Sequence, residues 1–463
     1  MSGHVNISNQ YTSVYFLGIG GIGMSALARY FNYHGLKVGG YDKTQSALIE
    51  KLIEEGCQVH FDDLGNKIPK HFNNPDNTLI VYTPAIPKNH KELNFFKENN
   101  FKIFKRAEVL GILTRQSKGL CVAGTHGKTT TSSMLAHILD HSSWKCNAFL
   151  GGIATNFNSN LVLSESSDLT VIEADEFDRS FLHLSPFASI VTSVDADHLD
   201  IYGNEDQFVE GFRQYAMKTD VNGYLIQKEG LKLNSLSKTV TYSYDSTTAD
   251  YSVQNLKWVS GFLIGDVRLK NSFWSNVKFG IPGIHNAENA LACIALLNEM
   301  GMDEQSIRNG LASFVGVKRR FEYCIREEKF VYIDDYAHHP KEIKALIDSI
   351  KMLYPTMKIR GVFQPHLFSR TKDFSEGFAA ELSRLDEVVL MPIYPAREEP
   401  IHGITSEWLL QQIKCDKKSL KSPAEILQYF SDLKEGVLLT IGAGDIDRIV
   451  SPLKEILSSN FES

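Results

Sequence analysis

The sequence predicts an α/β protein of three domains, with parallel sheets at both ends of the chain and a central domain that adds antiparallel strands to its own sheet. Three observations lead there. The chain has 463 residues, and domains average roughly 150 residues, which gives about three. Short apolar runs alternate with helical patterns in the first and last parts of the chain, as βαβ units do around a parallel sheet. Two glycine loops each lie between such a run and a helix, the place where parallel sheets build ligand sites.

In the first domain, residues 1–107, Val14–Gly18, Lys37–Tyr41 and Thr78–Tyr82 read as strands, and Met24–His34 as a helix. The second, residues 108–315, opens with the strand Gly119–Ala123 and the helix Lys128–Asp140. Strands over Leu169–Ala174 and Ala188–Val194 follow. From 238 to 280 aromatic and β-branched residues alternate with polar ones, the pattern of added antiparallel strands, before a helix over Ala287–Met300. The third, residues 316–463, repeats the βαβ pattern with strands at Phe330–Asp334, Lys358–Phe363, Glu387–Met391 and Gly436–Ile441 and a helix at Pro340–Met352.

Composition narrows the function classes. With 48 Lys+Arg against 55 Asp+Glu the net charge is −7, so bulk attraction to nucleic acid or anionic lipid is not expected. No apolar run approaches the roughly 18 to 20 residues that span a bilayer, and Met1–Gln10 lacks the apolar stretch of a secretory signal. The six cysteines form no CxxC pair, which argues against a disulfide framework or a structural zinc site. These features describe a reduced, cytoplasmic enzyme without nucleic-acid partner or membrane insertion.

The first glycine loop, FLGIGGIGMS, places Gly18, Gly20 and Gly23 in a G-x-G-x-x-G pattern between strand and helix, with Asp42 at the end of the next strand. Such a loop lets backbone approach a diphosphate at a helix N-terminus, and Asp42 can accept a ribose hydroxyl. A NAD-dependent oxidoreductase would explain this loop but leave the second one unused. That second loop, GTHGKTTT, places Gly124, Gly127, Lys128 and Thr129 as in a P-loop: backbone amides for phosphates, Lys128 for the β- and γ-oxygens, Thr129 for Mg²⁺. Val122 stands where the strict pattern has its first glycine, so the loop is a shortened variant.

Carboxylates Glu173, Asp175 and Glu176 follow one apolar strand and suit Mg²⁺ near the phosphates; Asp197, His198 and Asp200 follow another, where the histidine could ligate a second Mg²⁺ or hydrogen-bond substrate. His285, Asn286 and Asn289 open a helix and present side chains able to read a base edge. Lys318, Arg319 and Arg320 form a basic run suited to a transferred phosphoryl group. Asp334, Asp335, Tyr336, His338 and His339 lie at one strand end, and His366 and Arg370 at another.

Taken in order, GIGGIGMSALA, GTHGKTTT, EADEFDRSFL, DADHLDIYG, HNAEN, DDYAHHPKE and FQPHLFSRT make the chain resemble the Mur ligases over nearly its whole length. The resemblance implies Rossmann-like N- and C-terminal domains around a central P-loop ATPase domain. It also implies ATP-dependent joining of L-alanine to the lactyl carboxylate of UDP-N-acetylmuramate through an acyl phosphate, in peptidoglycan precursor synthesis, by a monomer or homodimer. By motif, Gly18, Gly20, Gly21, Gly23, Met24, Ser25 and Asp42 would hold the UDP-sugar, so no hydride chemistry is expected. Gly124, Thr125, His126, Gly127, Lys128, Thr129, Thr130, His285, Asn286 and Asn289 would hold ATP, with Thr129, Glu173 and His198 as Mg²⁺ ligands. Lys128, His198 and either Arg319 or Arg320 would serve catalysis, and Tyr336, His338, His366 and Arg370 the amino-acid end. Leu367 stands where many members carry Arg, which places more weight on Arg370.

Overall fold

The computed structural model describes residues 7–195, 199–259, 262–396 and 398–461. The chain forms two compact units, one built from residues up to Val315 and the other from Gly316 onward, the second also taking in the short segments 258–263 and 281–285.

The first unit begins with a short helix, α1 (Ile7–Gln10), and a five-stranded parallel sheet. Its strands are β1 (Ser13–Leu17), β2 (Lys37–Tyr41), β3 (Gln58–His60), β4 (Thr78–Tyr82) and β5 (Lys102–Lys105), in the order β3-β2-β1-β4-β5. The order reverses between β1 and β4, which opens the ligand crevice of such sheets at the carboxyl end of β1. Every residue of β1 is buried, since helices cover both faces. The helices here are α2 (Ile22–Tyr33), α3 (Ala47–Glu54), α4 (Lys91–Glu98) and α5 (Arg106–Gln116), the last leading into the central domain.

A ten-stranded mixed sheet follows. It contains β6 (Lys118–Ala123), β7 (Asn147–Ala154), β8 (Ser159–Val162), β9 (Leu169–Glu173), β10 (Ala188–Val191), β11 (Tyr224–Lys228), β12 (Lys238–Tyr244), β13 (Tyr251–Val259), β14 (Phe262–Arg268) and β15 (Phe273–Phe279). The order is β15-β14-β13-β12-β11-β10-β6-β9-β7-β8, with β7 and β8 antiparallel. Within 238–280 one strand departs from the antiparallel expectation: β12 runs parallel to both β11 and β13. Alternation along a strand fixes which face is buried, whereas its direction is set by the connection. In the segment between β12 and β13 the Asp250 carboxylate accepts from the amide and hydroxyl of Thr241 at 2.8 and 3.0 Å.

The N-terminal and central sheets share one continuous core, in which Val14, Phe16 and Leu27 join Phe149, Leu161 and Ile172. Asn160, buried on β8, donates to the Ile22 carbonyl at 2.6 Å and to the Ser25 hydroxyl at 2.9 Å, both on α2. Arg29 on the same helix reaches the Ser159 hydroxyl at 2.7 Å.

The second unit holds a six-stranded sheet of β16 (Glu322–Arg326), β17 (Phe330–Asp335), β18 (Ile359–Phe363), β19 (Glu387–Leu390), β20 (Lys417–Leu420) and β21 (Gly436–Ile441). The order is β16-β17-β21-β18-β19-β20, parallel except for β16. Separate apolar clusters cover its two faces.

One polar network lies inside the N-terminal domain. Glu92 on α4 is wholly buried, and burial pushes its carboxyl up to about 7. The Tyr15 hydroxyl lies 2.9 Å from Glu92 Oε2 and 2.5 Å from His60 Nε2. His60 Nδ1 lies 2.8 Å from the Asp62 carbonyl, which can only accept. Tyr15 donates its hydroxyl proton to Glu92 Oε2, and the Leu64 amide donates to Glu92 Oε1 at 2.9 Å. An acid whose folded value is raised contributes stability that is full below its unfolded value and lost as pH rises through about 7. Unfolding midpoints in urea are therefore expected to fall between about pH 5 and 7, and Glu92→Gln to flatten that fall. Parallel profiles for the two proteins would show that Glu92 does not titrate in this window.

Candidate active site

Built from the N-terminus, the site starts at the turn after β1. Gly18 adopts φ +86° and donates to the Tyr41 carbonyl at 2.8 Å. Asp42 closes the loop: one carboxylate oxygen accepts from the Gly20 amide at 2.8 Å, the other from Thr44 at 3.2 Å. Helix α2 then begins with Gly21 at its N-cap, with no side chain capping its first amides. Met24 and Ser25 are both buried in the first turn of α2, and the Ser25 hydroxyl is bonded to the Ile22 carbonyl and to Asn160.

The second loop connects β6 to helix α6 (Lys128–His141). Gly124 has φ +134° and Gly127, the N-cap of α6, φ +81°. The turn is seated on the strand end that follows β10. The Thr192 hydroxyl donates to the Ala123 and His126 carbonyls, the His126 amide donates to Ser193 Oγ at 2.9 Å, and the Thr125 hydroxyl donates to the Asp195 carbonyl at 2.8 Å. Thr129 and Thr130 are largely buried in the first turn of α6.

The three carboxylates after β9 take three different partners. Glu173 accepts from the Thr129 hydroxyl and from the Gly151 amide, both at 3.1 Å. Asp175 pairs with Arg106 at 3.2 Å. Glu176, 2% exposed, holds Lys128 Nζ with both oxygens, at 2.9 and 2.8 Å, and the ammonium also donates to the Gly124 carbonyl at 2.6 Å. Burial works against the Lys128 charge, yet Glu176, Asp175 and Glu173 together hold its pKa above the ordinary lysine value. A hydroxyl beside a carboxylate at the mouth of a P-loop is a donor set of hard oxygens, suited to Mg²⁺. Asn286 and Asn289 are buried one turn apart, with Asn289 Nδ2 donating to Asn286 Oδ1 at 3.4 Å, and Asn289 lies against Gly127. Asp197 and His198 lie outside the described residues.

In the second unit the basic run divides. Arg319 is committed to internal partners: Nε lies 3.3 Å from Asp334, Nη2 donates to the Gly442 carbonyl at 2.7 Å, and its backbone carbonyl takes the Tyr336 amide. The Arg320 guanidinium lies over the Tyr336 ring, 4.8 Å from its centre. Asp335 accepts the Phe321 and Ala337 amides, and burial pushes it up to about 6. Asp334, fully buried, takes the Thr440 hydroxyl at 2.6 Å.

His338 and His366 meet with ring centres 6.1 Å apart. Burial lowers both below the ordinary histidine value, against the Glu342 carboxylate in the case of His338, and takes His366 to about 4. His366 stacks on Tyr394, and Leu367 beside it adopts φ +69° with its amide on the Tyr394 carbonyl. A leucine held there stores roughly 1–3 kcal/mol of backbone strain. Tyr336, His338 and His366 thus come together, with Arg370 in the helix that follows Leu367. His339 is not one of them: it caps the helix Pro340–Leu353, accepting the Lys341 amide on Nδ1.

Sequence reasoning missed Arg106, Gly151, and the seat formed by Thr192, Ser193 and Asp195. The signal available was weak: an arginine at a helix start, a glycine in a strand, and a Thr-Ser pair after an apolar run. The specific pairing of Glu176 with Lys128 had no signal at all.

Comparison with known proteins adds an independent line. The model of the Mur ligase family catalytic domain matches residues 13–118, that of the Mur ligase middle domain 122–297, and that of the Mur ligase glutamate ligase domain 319–450. The UDP-N-acetylmuramate–L-alanine ligase of Phocaeicola vulgatus is 49% identical over 453 residues, covering 97% of this chain and 99% of that protein. The enzyme of the same name from Flavobacterium psychrophilum is 50% identical over 449 residues, covering 97% and 99%. Among solved structures, the UDP-N-acetylmuramate-alanine ligase MurC of Thermotoga maritima superposes with a TM-score of 0.83 at 27% identity, covering 96% of this chain and 99% of that one. A murein peptide ligase from Psychrobacter arcticus shares the fold, with a TM-score of 0.69 at 21% identity and coverage of 96% and 98%.

The P-loop turn makes its own stability prediction. A methyl group built on Gly124 falls 2.0 Å from Thr192 Oγ1 and 2.9 Å from the Ser193 amide, at a φ that side chains avoid. Gly124→Ala is expected to destabilise the protein by about 2–5 kcal/mol in chemical denaturation, and a loss below about 1 kcal/mol would contradict this packing.

Proposed function

The chain belongs to the Mur ligase family, and on that premise we propose that it joins L-alanine to the lactyl carboxylate of UDP-N-acetylmuramate, driven by cleavage of ATP, in peptidoglycan precursor synthesis. Relatives bearing that name cover nearly the whole chain at about half identity. The observation that carries the chemistry is the meeting of Lys128, Thr129, Glu173 and Glu176 at the P-loop, in the same folded unit as the first glycine loop.

The reaction needs two anions, carboxylate and triphosphate, brought into line. A lactyl carboxylate oxygen attacks the γ-phosphorus, the bond to the leaving ADP oxygen breaks, and an acyl phosphate forms. The amino group of alanine then attacks the acyl carbon, loses its proton, and expels phosphate. Lys128, kept charged by Glu176 until phosphate arrives, supplies the fixed positive charge for the β- and γ-oxygens. Thr129 and Glu173 are the residues that would hold Mg²⁺, which when bound offsets the charge of the triphosphate. His198, by its motif, would hold a second Mg²⁺.

The amides of the Gly124–Thr130 turn cradle phosphates, and His285, Asn286 and Asn289 take the adenine side. Because Arg319 is held by Asp334 and Gly442, Arg320 is the better of the two for the γ-phosphate. Tyr336, His338, His366 and Arg370 serve the amino-acid end, with Arg370 rather than residue 367 meeting the alanine carboxylate. The domains are assigned accordingly: residues 1–107 to the UDP-sugar, 108–315 to ATP, and 316–463 to the amino acid and closure. No helix among the described residues is long and apolar enough to cross a membrane.

ADP release is expected only when ATP, Mg²⁺, UDP-N-acetylmuramate and L-alanine are all present. A panel of amino acids and a tripeptide tests the assignment, and equal turnover with glycine, serine or the tripeptide would overturn alanine as the substrate. Lys128→Ala is expected to abolish turnover, and a rate within tenfold of wild type would remove Lys128 from the chemistry.

A further inference from the structure

Gly23 is a glycine for a reason that the loop pattern does not contain. In dinucleotide-binding turns the third glycine lets the helix pack closely on a strand. Here a methyl group built on Gly23 lies 2.1 Å from Arg106 Nη1, 3.1 Å from its Cζ and 3.2 Å from its Cδ. The side chain of Arg106 is therefore laid across the first turn of α2. That turn has no acidic residue and no side-chain cap, so its amides and the guanidinium form one positive surface.

Arg106 itself opens α5, directly after β5, at the carboxyl edge of the N-terminal sheet and on the crevice side of β1. It remains partly exposed, with 25% of its side chain open to solvent. Its Nη2 is tethered to Asp175 at 3.2 Å, and the other Asp175 oxygen accepts the Phe177 amide at 3.0 Å.

We propose that Arg106 is a specificity-determining residue of the sugar-nucleotide site: its guanidinium binds the diphosphate of the UDP-sugar over Gly23, and Asp175 positions it there. The inference rests on the reading of the first glycine loop as the UDP site. A planar guanidinium donates in parallel to two phosphate oxygens, which a point charge cannot do. The tether has a second consequence. Asp175 adjoins Glu176, the partner of Lys128, so the cation that meets the sugar nucleotide is anchored to the loop that holds the P-loop lysine.

The test uses the full-length protein and UDP itself as the probe, measured by calorimetry in the absence of ATP. Arg106→Ala is expected to weaken UDP about ten- to a hundredfold, the loss of one charge-assisted contact to phosphate, and Arg106→Lys to recover part of it. In turnover assays the KM for UDP-N-acetylmuramate rises by a similar factor, while the KM for ATP stays within about threefold. Gly23→Ala displaces only the flexible end of Arg106 and is expected to reproduce the Arg106→Ala defect. The double variant should then be no weaker than either single one, since both remove the same contact. Wild-type protein that fails to bind UDP would overturn the reading of the glycine loop. Wild-type binding that survives intact in Arg106→Ala, or additive losses in the double variant, would overturn the role of Arg106 alone. If Arg106→Ala does not fold, Gly23→Ala and Arg106→Lys carry the same comparison.

Discussion

The pairing of Lys128 with Glu176 is the constraint around which the nucleotide end of the molecule is organised. An ammonium buried at a helix start is costly unless a carboxylate and further acceptors meet it, and removing one partner of such a pair leaves an uncompensated charge. Both Glu176 oxygens and the Gly124 carbonyl supply those acceptors. To bring Glu176 there, the chain must turn sharply after β9, and Tyr202 fastens the turn by donating to the Glu176 carbonyl at 2.7 Å. Once the turn is set, the neighbouring carboxylates have fixed destinations: Glu173 faces Thr129, and Asp175 faces Arg106. One short segment thus meets a threonine hydroxyl, a lysine and an arginine in succession. The same arrangement keeps the buried Lys128 charge matched by a carboxylate.

Much of this was legible in the sequence because it depends on local pattern. Strands such as Val14–Gly18 and Gly436–Ile441 are short apolar runs, and both glycine loops follow such runs and open helices. Contacts between distant residues carried no comparable signal. Arg106 touches Gly23 from 83 positions away, and nothing in either neighbourhood announces it. A motif is written as a contiguous string, but a helix turns its residues through 3.6 per revolution, and Met24 and Ser25 face inward. The direction of β12 was likewise hidden, because alternation records faces and not orientation.

The C-terminal unit shows the same division between pattern and partner. Its strands and the DDYAHHPKE segment could be placed from sequence, yet the two histidines of that segment separate in role: His338 joins His366, and His339 caps a helix. Arg319 and Arg320 were indistinguishable as letters. Their backbones distinguish them, because Arg319 sits at φ +63° and turns its side chain back onto Asp334 and Gly442.

The shared core of the first unit bears on how such chains can be recombined. Apolar side chains of β1 and α2 pack with those of β7, β8 and β9, and Asn160 fastens the two halves through buried bonds. A chimera that joined the first 107 residues of one relative to the remainder of another would have to match both sides of that core at once. The sheet beyond Gly316 is covered by apolar clusters of its own. The N-terminal and central sheets are therefore expected to travel together in such exchanges, as one packed block.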